Sequence, residues 1–247
     1  MKASPWVRAL IALAVIQGLA AVVAFELGGS ALAKALPIPF TPTFYLANLV
    51  FFGGGGLLFL VAGRRDLRAI DLGAVFLLLA VSFADRPLEI VLAEATSPLA
   101  HLARFAMDLE VEAFLPWFLW RFAVQFPSVH LSYRARRVGA VALPAALGLG
   151  CGLGIVNALD HWLEGRVPTL AAFDRDVESS PFFPSIFLFL VAALVFLVVR
   201  WRSEEGEARR RVGLFLAALV LGFGPLFGWV LLELLLTLAF VGFGEFA

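Results

Sequence analysis

Charge is scarce in this 247-residue chain. Asp, Glu, Lys and Arg make up 15% of it, against about 25% in a typical soluble domain, too little to cover a water-soluble particle of this size. Basic and acidic residues number 19 each, which leaves no basic excess with which to grip nucleic acid. Cys151 is the only cysteine, so a disulfide framework and a Cys-x-x-Cys pair are both excluded. Histidine occurs three times, at His101, His130 and His161, and no His-Glu-x-x-His zinc signature is formed. Gly-x-Ser-x-Gly and the phosphate-cradling Walker A motif are missing as well. What fills the chain is apolar: 62% hydrophobic residues, 25 of the 247 being Phe, and a mean hydropathy of +0.94. That excludes a disordered chain and describes a membrane protein whose main solvent is lipid.

A helix needs roughly 20 mostly apolar residues to cross about 30 Å of hydrocarbon. Seven such runs are present, over residues 6–27, 44–62, 69–84, 107–126, 138–159, 184–199 and 212–232. The predicted fold is therefore all-α, a polytopic transmembrane helix bundle of seven spans, with Leu234 to Phe243 as an incomplete eighth. The first run opens with Lys2 and Arg8 like a signal peptide, but its apolar part is too long and no small-x-small cleavage site follows, so it reads as a retained helix. Asp85, Arg86 and Pro87 stop the third run. Residues 85–106 carry Leu88, Val91, Leu92, Ala95, Leu99 and Leu102 at near-helical spacing among Glu89, Glu94, His101 and Arg104, the pattern of an amphipathic helix lying in the outer interface. Gly53 to Gly56, inside the second run, permit close helix packing or a bend. Pro116, Pro144 and Pro225 fall inside spans and are expected to kink them. Trp6, Trp117, Trp120, Trp201 and Trp229 read as interfacial anchors.

Positive charge marks the side that is not translocated. Thirteen basic residues fall on one side, at Lys2, Arg8, Arg64 to Arg68, Arg134 to Arg137, Arg200, Arg202 and Arg209 to Arg211. Five fall on the other, Lys34, Arg86, Arg104, Arg166 and Arg175, and Arg121 lies within a span. The bias alternates at every crossing, which predicts a cytoplasmic amino terminus and an outer side that includes residue 247. The outer loop over residues 160–183 is acidic, with Asp160, Glu164, Asp174, Asp176 and Glu178.

Polar residues at membrane depth are costly and normally face the bundle interior. Those singled out are Gln17, Asn48, Glu112, Arg121, Gln125 and Asn157. Arg121 either binds an anionic ligand or pairs with an acid on a neighbouring helix, or it snorkels to lipid phosphates. Asp108, Glu110 and Glu112 form an acidic start to the fourth span that suits its dipole. The alternative is an outer cation or peptide site completed by Asp85 and Glu89. The histidines lie on opposite sides, so they form neither a metal site nor a haem pair. Ser82, the best-placed serine within a span, has no histidine in reach. No catalytic residue, cofactor or metal is expected from this pattern.

Two stretches go beyond generic membrane sequence. Phe122-Ala123-Val124-Gln125-Phe126-Pro127 is followed by Arg134-Ala135-Arg136-Arg137, and Glu207-Ala208-Arg209-Arg210-Arg211 leads to Gly222-Phe223-Gly224-Pro225. In these motifs, and in helix order and loop length, the chain resembles the amino-terminal membrane region of bacterial sensor histidine kinases of the multi-helix type and of related serine phosphatases. The resemblance implies a sensor in the bacterial inner membrane, part of a two-component or related signal transduction system. It implies further an unknown signal ligand, a homodimer, and a kinase or phosphatase output domain in a longer parent protein, with no catalysis in these 247 residues. A small polytopic transporter, channel or lipid-handling protein is the alternative, drawn from the intramembrane Arg121, Gln125 and Asn157.

Overall fold

A computed structural model of the chain describes residues 4–35, 41–93, 98–107, 109–127, 133–163, 166–175, 177 and 180–218, and every regular element among them is helical. Two compact units divide the chain, Met1–Ala193 and Leu194–Ala247.

The first unit begins with α1 (Pro5–Ala35) and α2 (Pro42–Ala62). The Thr41 hydroxyl accepts a hydrogen bond from the Phe44 amide and caps α2, with Pro42 in the first turn where its missing N–H costs nothing. Next come α3 (Leu67–Ser82), capped by Asp66, and α4 (Asp85–Leu92), bent by 41° from α3. Pro87 explains the bend, because its ring crowds the carbonyl four residues back and it cannot donate into the ladder. α5 (Pro98–Met107) and a 3-10 turn (Val111–Phe114) lead into α6 (Leu115–Gln125). After α7 (Tyr133–Trp162) and the single turn α8 (Pro168–Ala171), α9 (Phe182–Ser203) begins in this unit and ends in the next.

The core lies where α3 meets α6. Leu72, Ala74, Val75, Leu77, Leu78 and Val81 of α3 are buried, as are Leu115, Trp117 to Trp120, Phe122 and Ala123 of α6. Glycine lets α2 come close to α3: a Cβ on Gly56 would sit 2.9 Å from the Gly73 carbonyl oxygen, and one on Gly73 would sit 3.0 Å from that of Gly56. Gly150 does the same for α7, where a Cβ would meet the Phe114 ring at 2.8 Å. The outer faces of α1, α2, α7 and α9 are the reverse of this core, exposing Ile16, Leu19, Phe51, Leu58, Val141, Ile155 and Leu188. In water each such side chain forfeits about 1.5–3 kcal/mol of burial, whereas lipid removes that cost.

Four stretches are long and apolar enough to cross a membrane: Pro5–Glu26, Pro42–Ala62, Ala135–Asp160 and Phe182–Ser203. The bent pair α3 and α4 makes a fifth if counted as one span. The fourth predicted span, residues 107–126, is not one continuous helix. Glu110 takes a left-handed backbone, φ 46°, which interrupts it, and α6 proper is 11 residues long, about 17 Å at 1.5 Å per residue. Pro116 falls in its first turn rather than its middle and kinks nothing. The described residues within 85–106 fall in two helices, α4 and α5, with Asp85, Pro87 and Leu88 buried, and residues 94–97, Ala95 among them, lie outside the described residues. Trp117 and Trp120, expected at the interface, are buried in the core at 8% and 4% exposure.

In the second unit the end of α9 is followed by α10, helical over residues 206–218 and opening at Gly206, whose φ is 56°. Arg209 stacks over the Trp201 ring at 5.4 Å, and Arg200–Glu204 and Arg211–Glu207 pair at 3.3 and 3.1 Å. Most of the seventh predicted span, with Pro225 and Trp229, and the incomplete eighth lie outside the described residues.

Candidate functional site

Three levels of polar contact tie α3 and the α4 that continues it to the segment from Glu110 to Pro127, and the first two fix α3 and α6 as antiparallel neighbours. At one end Arg68 pairs with Asp66 at 2.8 Å and donates from Nη1 to the Pro127 carbonyl at 2.9 Å. That guanidinium bond holds the Asp66 carboxyl below the ordinary carboxylate range, against a smaller opposing push from burial.

One turn further along α3, Asp71 is fully buried and faces Arg121 of α6, with Nη2 to Oδ1 at 3.2 Å. Gln125 donates to its other oxygen at 3.3 Å. The Arg121 guanidinium also lies over the Trp117 ring, 4.4 Å from its centre, and Trp117 touches Trp6 of α1 at 4.6 Å. Of the alternatives for Arg121, pairing with an acid on a neighbouring helix is therefore what the structure contains, because the ion pair and the aromatic face both hold the side chain inward. Asp71 was not among the residues singled out from the sequence. Its signal was available, as the one acidic residue within the apolar run 69–84.

At the far end of α3 stands the larger cluster. Arg175, from the loop after α8, places Nη1 2.8 Å from Asp85 Oδ2, 2.9 Å from Glu110 Oε2 and 2.5 Å from Glu112 Oε1. The acids arrive from two places: Asp85 from the first turn of α4, and Glu110 and Glu112 from the strained step into the 3-10 turn. Asn157 of α7 supports the arginine from behind. Its Oδ1 accepts from the Arg175 backbone amide at 3.3 Å, and its Nδ2 donates to Leu153 and Phe173 carbonyls at 2.9 and 3.3 Å. Phe183 of α9 lies 5.9 Å from the guanidinium carbon. Burial would weaken the charge of Arg175, but Glu112, Asp85 and Glu110 outweigh it and push the guanidinium well above its ordinary range.

Of the polar residues and acids proposed from sequence, Asp85, Glu110, Glu112 and Asn157 thus gather around Arg175 beyond one end of the α3–α6 pair, and Arg121 and Gln125 lie toward the other. Glu89 does not join the acids but pairs with Arg86 in the open. Gln17 donates to the Ala106 carbonyl at 2.8 Å, and Asn48 bonds within its own helix. Arg175, the hub, had been read only as a loop charge, because no spacing rule links a loop arginine to acids 63 to 90 residues away. His130, Asp108 and the side chain of His161 lie outside the described residues. Among the described residues no group of three or more His, Cys, Asp or Glu side chains has the geometry to hold a metal ion.

Fold, composition and the buried ion pairs together define a helical membrane protein with a polar seam inside the bundle. No known protein family, characterised protein or solved structure matches the chain.

Proposed function

We propose that this chain is a signal-receiving domain of the bacterial inner membrane, with its amino terminus in the cytoplasm and the Arg175 cluster on the outer side. In this reading it relays an outer stimulus to a cytoplasmic kinase or phosphatase domain, as the resemblance implies, and works as a homodimer. The observation that carries the reading is the mechanical continuity of the α3–α6 pair. A loop arginine grips the segments that adjoin its outer end, Asp85 of α4 on one side and Glu110 and Glu112 just before α6 on the other, and its inner end is tied by Arg68 to Pro127. A stimulus that favours one packing of this pair shifts populations by its differential affinity for the two packings, and about 5.5 kcal/mol carries an equilibrium from 1:99 to 99:1.

The reading frame beyond codon 247 tests it. A further helix followed by a kinase or phosphatase domain is expected, and a frame that closes at once counts against it. The second reading, a small transporter, channel or lipid-handling protein, draws on Asp71, Arg121 and Gln125 at membrane depth. Solute, ion and lipid-scrambling assays in proteoliposomes separate the two. Flux above empty vesicles that Arg121→Leu abolishes would overturn the sensor reading.

A further inference from the structure

Arg175 offers one nitrogen, Nη1, to three carboxyl groups. A guanidinium Nη carries two N–H bonds, so two donors face three acceptors. The carboxyl groups also repel one another at this range, Glu112 acting on Asp85 and Glu110 on Glu112. Fully ionised, the site would hold three negative charges against one positive, on side chains only 3% to 6% exposed. Asp85 Oδ1 adds a buried acceptor with no hydrogen-bond partner among the described residues. Such a site closes only if protons make up the missing donors and charge.

We propose that the Asp85, Glu110, Glu112 and Arg175 cluster is a proton-binding site in exchange with the outer solution, and that outer proton activity is the stimulus of this domain. The second half rests on the sensor reading above; the first does not. Protons held between the carboxyl groups join α4, the 3-10 turn and the loop carrying Arg175. Their loss leaves like charges facing each other across the start of α4 and the turn, and separates the two.

Among the described residues, α4 brings Asp85, while its Arg86 and Glu89 are exposed. α5 packs on α4 and brings Arg104, which donates to the Leu92 and Ala93 carbonyls, and an exposed His101. The 3-10 turn brings Glu110 and Glu112, and the loop brings Arg175 with Asp174 beside it. α7 brings neutral Asn157, with buried Asp160 one turn on, and α9 brings the Phe183 ring. α3 carries no charge nearer than Asp71 at its other end, and Glu26 of α1 is exposed.

Infrared difference spectra of the full chain in phosphatidylcholine nanodiscs, taken between about pH 6 and about pH 9 where buried carboxyl groups titrate, read the proton directly. A protonated-carboxyl band that vanishes as pH rises is expected in the wild type, and a diminished one in Glu112→Gln. Amide hydrogen exchange of residues 166–175, corrected for its intrinsic pH dependence, rises over the same interval by up to about tenfold per pH unit for each proton released. In Glu112→Gln it stays flat. The absence of a titrating carboxyl band in the wild type, or an unchanged band in Glu112→Gln, overturns the proton site. Wild-type loop exchange that ignores pH overturns the claim that the protons hold the loop in place, and the wild-type arms decide even if the variant fails to fold. A missing band leaves the sensor reading standing with another stimulus, whereas a titrating band with a failed reading-frame test leaves the proton site without a relay.

Discussion

At the residue scale, the two buried arginines have different tasks and different tests. Arg121 neutralises Asp71, which is fully buried, so Arg121→Leu strands a carboxylate and should cost about 3–5 kcal/mol, read as a lower melting temperature in nanodiscs. The double variant Asp71→Leu/Arg121→Leu should recover most of that loss, because it removes both charges. A snorkelling arginine would show neither effect. Asp66 makes a milder prediction. Asp66→Ala removes a helix cap and should cost about 1 kcal/mol at neutral pH. Because Arg68 depresses the Asp66 pKa, the cap's charge-dependent contribution is complete above the ordinary value of about 3.9 and fades as pH falls through the lower folded value. The variant's acid unfolding limb should therefore be flatter than the wild type's. Arg121 was legible in the sequence because an arginine inside an apolar run is conspicuous. Its partner was not, since nothing in the order of residues says which helix will lie opposite.

At the element scale, the four consecutive glycines of α2 are not equivalent. Gly56 faces the Gly73 carbonyl oxygen at 2.9 Å from where a Cβ would stand, whereas Gly54 has nothing within 4 Å. Gly56→Leu should therefore destabilise by about 1–3 kcal/mol through overpacking. Gly54→Ala should be neutral or stabilise by roughly 0.5–1 kcal/mol, as expected for glycine in an open helix interior. Thermal melts of the two variants in one detergent check both signs. The run of glycine was readable as a packing device, yet which of the four makes the contact depends on the rotation of α2 against α3. The fourth predicted span teaches the same lesson: residues 107–126 are apolar enough for a helix, and hydropathy does not register the left-handed turn at Glu110 that divides them.

For the whole molecule, the charge bias predicts sidedness that can be measured. After Cys151→Ser removes the native thiol, single cysteines at Arg65 and Arg136 should resist a membrane-impermeant maleimide in intact cells, and one at Arg166 should react. Labelling of Arg65→Cys from outside would invert the orientation and move the Arg175 cluster to the cytoplasm. The seven-span count rests on hydropathy alone, while four described stretches, or five with the bent pair, meet the length and apolarity of a crossing helix.

Composition and hydropathy by themselves determined that the chain is helical and lives in lipid, because apolar content and run length are properties of the chain read in order. They also flagged Glu110, Glu112, Arg121 and Asn157, since a polar group in an apolar run is visible without any partner. Tertiary structure alone decided which of these meet: that Arg121 answers Asp71, and that a loop arginine gathers three acids from α4 and the 3-10 turn. The reason is physical. The cost of burying a charge is a local property of sequence, but the compensation that makes burial tolerable comes from whatever side chain the packing of distant helices brings within about 3 Å.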